Sequence, residues 1–438
     1  MSPMWLPIAC AVLALTPGVI ATPQARPIAY SDLAPGLPTW LAQYGVAAES
    51  FPGLLRSINE QTGTRLRQGE KDHLIYFVLQ SSRFTSRPRI EPALSAREFF
   101  LQFDPVQRAG YLAGESASSP GVPPEVRERM QDFLRALARG RSDERIDWFR
   151  KSIPPAERTM EHLAAEYRRA MVFLYQKEFA ADSSGASLYQ HRGHSSDTRV
   201  EANFAVWSAL AVLKQRNSTL HMNRALIVGP GEDFAPRTGL IDSYPPQSYQ
   251  PFAIADALLA LRLADPQALR IDCVDINDRV LEFFEEFPKH RKPRLTLLAA
   301  WDDPQYLDFF GGLGLQIGTV SPVHGGKSLL VSKDVTNRVT AQKLNVITER
   351  YDPSPQYDLV VATNVFVYFS RIELSLALSN IHSMLGAGGT LIHNELRSEV
   401  EEISRLLGFP PVEARTLRLS EGQGRPLFDS FVIHRKGR

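Results

Sequence analysis

Charge of one sign is missing from this sequence: 49 Lys and Arg face 48 Asp and Glu, leaving a formal net charge of +1. So close a balance gives no global attraction to a polyanion, and no nucleic acid partner is expected. Cysteine is scarce, with only Cys10 and Cys273. If Cys10 belongs to a cleaved leader, Cys273 stands alone, no internal disulfide is possible, and cysteine usage leaves the compartment open. No uncharged apolar run is long enough to span a bilayer, so the mature chain is expected to have no transmembrane helix. GxSxG, Walker and HExxH motifs are all absent, which removes support for hydrolase, triphosphatase and zinc-protease readings. His191 and His194 flank Arg192-Gly193 without a nearby set of Cys or carboxylate ligands, so no metal site is expected there.

What is present is ordinary globular material, 44% hydrophobic and 22% charged over 438 residues, long enough for two domains and a leader. Residues 1–21 predict a secretory leader: an apolar run from Trp5 to Leu15, a Pro17-Gly18 break, then Val19-Ile20-Ala21 for cleavage. Export is therefore expected, with a cytoplasmic chain as the alternative, since no Lys or Arg precedes Trp5. Residues 22–190 read as a mainly α-helical N-terminal domain. Its clearest pattern places Met160, Leu163, Tyr167, Met171, Leu174 and Tyr175 at helical spacing. Residues 191–223 read as a connecting helix.

From residue 224 to the end the period changes, and short apolar runs alternate with helical stretches in the manner of a parallel α/β sheet. Strands are expected at Ala225 to Val228, Arg270 to Val274, Leu344 to Ile347, Tyr357 to Ala362 and Gly389 to His393. Two later runs, Glu413 to Leu419 and Phe428 to His434, suit an antiparallel pair. An insertion at about 289–342 is long enough for a lid or an extra hairpin.

Gly229 and Gly231 follow the first strand in GxG spacing, which lets backbone approach a ligand closely or simply closes a tight turn. Asp275 ends the second strand, where a carboxylate can accept from both ribose hydroxyls of a nucleoside or cap the helix starting at Asp278. Next come Leu344-Asn345-Val346-Ile347 and the run Tyr357-Asp358-Leu359-Val360-Val361-Ala362-Thr363-Asn364-Val365-Phe366-Val367-Tyr368-Phe369.

Together these segments resemble a class I S-adenosylmethionine (SAM) methyltransferase, and within that superfamily the third and fourth strand motifs resemble those of CheR-type methyltransferases, NLL and FDLIFCRNVLIYF. Gly386-Ala387-Gly388-Gly389-Thr390-Leu391 is similar to the superfamily's LKPGGxL, and Gly231-Glu232-Asp233 echoes the family's GEEPYS. The resemblance implies a Rossmann-like sheet with SAM as cofactor and a small-molecule or protein methyl acceptor. It implies cofactor contacts from Gly229, Gly231, Glu232, Asp275, Ile276, Asn345 and Asn364, with Tyr368 bordering the methyl-transfer site; an aromatic plug of Phe366, Tyr368 and Phe369 fits the run equally.

This chain also departs from the pattern. Ile227 stands where many methyltransferases have an acid, Asp233 where a third glycine is common, and Thr363 where the CheR type has arginine. The family's TxFFR signature is missing; Asp197-Thr198-Arg199 offers a Thr and an Arg without the aromatic pair. Two rival readings stay open. One is an aminopropyltransferase resembling the polyamine synthases, which would want paired acids where Thr363-Asn364 stand. The other is an exported protein keeping the fold for binding without turnover.

Overall fold

The computed structural model describes residues 24–437 apart from 91–99, 114–121, 140–142, 180–184, 196–197, 234–245, 421–426 and a few single positions. The leader expected over residues 1–21 lies outside the described residues.

The first half runs through β1 (Gln24–Pro27), α1 (Leu37–Ala42), α2 (Phe51–Gly69), α3 (Leu74–Gln80), α4 (Pro105–Ala113), α5 (Pro124–Arg139), α6 (Glu144–Ser152), α7 (Met160–Phe179), α8 (Gly185–Gln190) and α9 (Val200–Arg216). The second half opens with β2 (Arg224–Val228), α10 (Gln250–Ala260), β3 (Arg270–Asp275) and α11 (Asp278–Glu286). After them come β4 (Arg294–Leu298), α12 (Pro304–Gly312), β5 (Gly318–Val323), β6 (Gly326–Val331), α13 (Lys333–Thr336) and β7 (Val339–Lys343). It finishes with β8 (Glu349–Asp352), β9 (Tyr357–Ala362), α14 (Arg371–Met384), β10 (Leu385–His393), α15 (Ser398–Leu406), β11 (Pro411–Ser420) and β12 (Leu427–Arg435).

Seven strands form one sheet in the order β11-β12-β10-β9-β2-β3-β7. The five from β10 to β7 are parallel, and β12 runs antiparallel to both β10 and β11. From β2 the chain first builds outward through β3 and β7, then returns to β2's other side for β9 and β10. The order therefore reverses between β2 and β9, the kind of crevice where open α/β sheets bind ligands.

Period-two alternation sorts the sheet's side chains onto two cores. Ala225, Ile227, Ile271, Cys273, Leu359 and Val361 face α9, α10, α11 and α12. Leu226, Val228, Val274, Val360 and Ala362 face the other way, onto α14, α15 and the N-terminal residues Leu37, Leu41, Phe51, Leu55 and Ile58. Burial on both faces is why these strands read as continuous apolar runs. Helix α14 starts where Ser370 and Glu373 cap each other, the Ser370 amide donating to Glu373 Oε2 at 2.7 Å.

Three expectations need correction. Residues 24–69 do not belong with the helical domain: α1 and α2 complete one face of the sheet, and β1 pairs antiparallel with β8. The separate helical core, built on Phe77, Phe133, Phe149, Tyr167 and Met171, lies within residues 74–171. The third parallel strand is Val339–Lys343, five residues ahead of the expected Leu344–Ile347, so the insertion ends before it. As an edge strand β7 exposes most of its side chains and has little hydropathy signal, whereas Leu344, Val346 and Ile347 are buried beyond its end. The inserted residues form an antiparallel sheet, β4-β6-β5, whose Leu295, Leu297, Leu329 and Val331 join the core.

Among the described residues no helix is long and apolar enough to cross a membrane.

Candidate cofactor site

Each parallel strand ends in a loop that must turn sharply at the crevice. Gly229 and Gly231 adopt φ of +64° and +65°, a region costly for residues with a Cβ. A Cβ on Gly229 would also meet Val365 Cγ2 at 3.0 Å. The Gly229 amide donates to the Val274 carbonyl at 2.8 Å, which ties the turn to the neighbouring strand. Across the reversal, Asn364 takes φ +58°, a conformation asparagine tolerates better than most residues. Asn394 fixes it there: Oδ1 of Asn394 accepts from the Asn364 amide at 2.8 Å, and its Nδ2 donates to Asn364 Oδ1 at 2.9 Å.

These loops enclose a cavity at the sheet's reversal, about 770 Å³ counting the open solvent at its mouth. Gly229, Gly231, Asp275, Ile276, Asn345, Asn364 and Tyr368 all line it. Glu232 does not. It is buried one residue beyond the lining and accepts from Trp148 Nε1 at 3.1 Å, so it faces the helical core. Burial pushes the Glu232 carboxyl up to about 7.

Asp275 Oδ1 accepts from the Asn277 amide at 2.8 Å. The cap of α11 is Asn277 rather than Asp275, with its side chain accepting from the Arg279 amide. Asp275 is thereby left at the cavity wall. Burial raises its carboxyl to about 6, against hydrogen bonds from the amides of Asn277, Gly231 and Ile276 that favour the ionised form. Asn345 is braced from outside the sheet: its Nδ2 donates to Asn59 Oδ1 at 2.8 Å while its Oδ1 accepts from the Ile347 amide.

Asn59 introduces the wall that sequence reading missed. Helix α2 carries Asn59, Thr62, Arg65, Leu66 and Gly69 at spacings of three and four, a polar face across the crevice. Asn59 bonds Asn345 and Thr348, Thr62 and Leu66 line the cavity, and Arg65 reaches the carbonyl of Tyr368 at 2.7 Å. From Asn59 to Arg65 is about 9 Å of helix, close to the roughly 10 Å from one strand to the next but one. At Gly69 the helix meets the loop before α9 backbone to backbone; a Cβ there would collide with the His194 carbonyl. That contact delivers His194, Ser195 and Thr198 to the cavity wall.

His194 is buried, and desolvation drives its imidazole down to about 3, leaving it uncharged. Its ring meets Tyr368 edge to face at 5.3 Å. Ser195 is held by His73 at 2.5 Å. Three polar atoms of lining side chains, Thr62 Oγ1, His194 Nε2 and Asn277 Nδ2, are buried without a hydrogen-bond partner among the described residues. Among the described lining residues Asp275 is the one acidic side chain, and no Lys or Arg joins it. A cationic nucleoside fits such a wall: polar atoms to satisfy, one carboxylate for a diol, and a glycine turn open to backbone approach.

Residues 321–406 match the family described as CheR methyltransferase, SAM binding domain, a stretch that holds Asn345, Asn364 and Tyr368. Similar solved structures include N-methyltransferase NodS from Bradyrhizobium japonicum WM9 in complex with S-adenosylhomocysteine, 13% identical, covering 55% of this chain and 90% of that one at a TM-score of 0.30. The magnesium protoporphyrin IX methyltransferase of Synechocystis PCC 6803 is 10% identical over 54% of this chain and 84% of its own, TM-score 0.29. CurJ carbon methyltransferase is 14% identical over 93% and 100%, TM-score 0.32. No curated protein sequence matches. A sheet that reverses beside its own glycine turn thus runs into a segment that matches a CheR-type SAM-binding domain, so the fold and the cofactor are those of an S-adenosylmethionine-dependent methyltransferase.

Proposed function

We propose that this cavity transfers the methyl group of SAM to an acceptor that enters on the Tyr368 side. The observation that carries the reading is the convergence of Gly229, Gly231, Asp275, Asn345, Asn364 and Tyr368 on one cavity at the sheet's reversal. When bound, the cofactor supplies an electrophilic methyl on a sulfonium. The chain's own work is positioning. Asp275 accepts hydroxyl hydrogens, Asn277 Nδ2 offers a donor two residues on, and the glycine turn brings main-chain amides close. The loop from Asn364 to Tyr368 is braced by Asn394, by Arg65 and by Arg397, which donates to the carbonyls of Phe366 and Phe369. In-line transfer needs mainly that geometry, with a general base only where the acceptor must lose a proton.

Thr363 bonds Gln250 Nε2 through its hydroxyl at 2.8 Å, and no acid stands beside Asn364 to hold a polyamine, which weighs against aminopropyl transfer. Titration calorimetry with S-adenosylhomocysteine tests the assignment. Heat release by the wild-type chain that Asp275→Ala removes is the expected result; no heat at millimolar ligand would end this reading.

A further inference from the structure

Buried polar atoms are nearly always hydrogen-bonded, and those left unpaired mark where a ligand completes the set. The three on this cavity sit at different places. Asn277 lies two residues past Asp275, at the nucleoside end. Thr62 lies mid-span in α2. His194, more than nine-tenths buried, lies against Tyr368 after β9, which is two strands from β3, about 10 Å at the usual strand spacing.

We infer that His194 touches the methyl acceptor, and that this acceptor presents a neutral hydroxyl or amine on a small apolar body. The inference rests on the methyl-transfer reading and names the substrate class of that site. His194 lies against Tyr368, and the same cavity is lined by Leu66, Val365 and Phe369, apolar side chains that suit an aromatic or branched aliphatic group. Among the described residues nothing cationic lines it to meet a carboxylate. Arg65 is spent on the carbonyls of Tyr368, Arg192 and Tyr189 and on Glu373, and burial keeps His194 uncharged. A hydroxyl or amine both donates and accepts, so it pairs with either imidazole tautomer. In the step itself the acceptor's lone pair forms the bond to the methyl carbon as the carbon–sulfur bond breaks toward sulfur. The acceptor's proton leaves to water, and His194 orients the lone pair.

Ligand-observed NMR on protein saturated with S-adenosylhomocysteine, using phenol and benzoate as probes, tests this. Phenol binds and benzoate does not. His194→Phe weakens phenol by about tenfold or more while leaving the S-adenosylhomocysteine Kd within about twofold, and His194→Gln restores part of the loss. His194→Leu supplies the same comparison if His194→Phe does not fold. Benzoate binding as tightly as phenol, phenol indifferent to His194→Phe, or an equal loss of both ligands would overturn the inference; the last would hand the histidine to the cofactor. Failure of the wild-type chain to bind S-adenosylhomocysteine would instead remove the methyl-transfer reading.

Discussion

Arg65 Nη2 donates to the main-chain carbonyl of Tyr368 at 2.7 Å, so a residue near the start of the chain holds the loop after the fourth parallel strand. The same guanidinium reaches the carbonyls of Arg192 and Tyr189 and lies 3.9 Å from Glu373. Arg65→Ala strips these carbonyls of their donor at once and takes the cation away from the buried Glu373 carboxylate, which among the described residues keeps only the Ser370 amide, at a cost of about 2–4 kcal/mol. Urea unfolding reads that loss. Arg65→Lys keeps the charge without the fork and recovers less than half of it.

Cofactor binding is expected to weaken in acid. The Asp275 carboxyl, raised to about 6 from 3.8, accepts from both ribose hydroxyls at full strength when ionised and more weakly once protonated. Below pH about 6 the S-adenosylhomocysteine Kd rises, roughly tenfold per pH unit at the limit. Stability without ligand runs the opposite way: the folded chain holds that proton more tightly than the unfolded one, so this group's contribution grows as pH falls from about 6 toward 3.8. Asp275→Asn flattens the binding profile, apart from any slope due to Glu232, when calorimetry is repeated between pH 5 and 8.

Gly229→Ala places a Cβ at positive φ and 3.0 Å from Val365 Cγ2. The strain is about 1–2 kcal/mol, and the displaced turn lowers S-adenosylhomocysteine affinity about tenfold. Adding Val365→Ala relieves the contact but not the backbone, so the double variant binds between the wild type and the single variant.

Trp148→Phe leaves an aromatic ring, smaller than the indole, and removes the donor to Glu232 Oε2. The orphaned acid destabilises the fold by about 1–3 kcal/mol at pH 8, where it must be charged, and by less at pH 6, where it is protonated. Denaturation midpoints at the two pH values measure the difference.

The sheet and its switch point were legible because strands buried on both faces write themselves as apolar runs, and glycine at a turn and an acid at a strand tip sit at readable spacings. Asp275 and Asn364 belong to that class. Asn59, Thr62 and His194 do not: they come from segments distant in sequence, and only folding brings α2 across the crevice. The polar face at Asn59, Thr62 and Arg65 was readable as a pattern, yet nothing in one helix says which cavity it covers. Strand β7 was missed for the opposite reason, since an exposed edge strand carries too little hydropathy to stand out. Glu232 reads as part of the glycine turn and turns instead to Trp148, because a loop side chain goes to whichever neighbour satisfies it.

The pairing of β1 with β8 sets Gln24 opposite Asp352, and α1 and α2 share a core with Leu378 and Leu407. On the ribosome the segment that covers the crevice is made early, yet its partners are made more than three hundred residues later. Such contacts close a very long loop, which slows folding. Until then Leu37, Leu41, Phe51 and Leu55 have no sheet to cover, and the nascent chain carries an unpartnered apolar stripe that invites aggregation or chaperone binding.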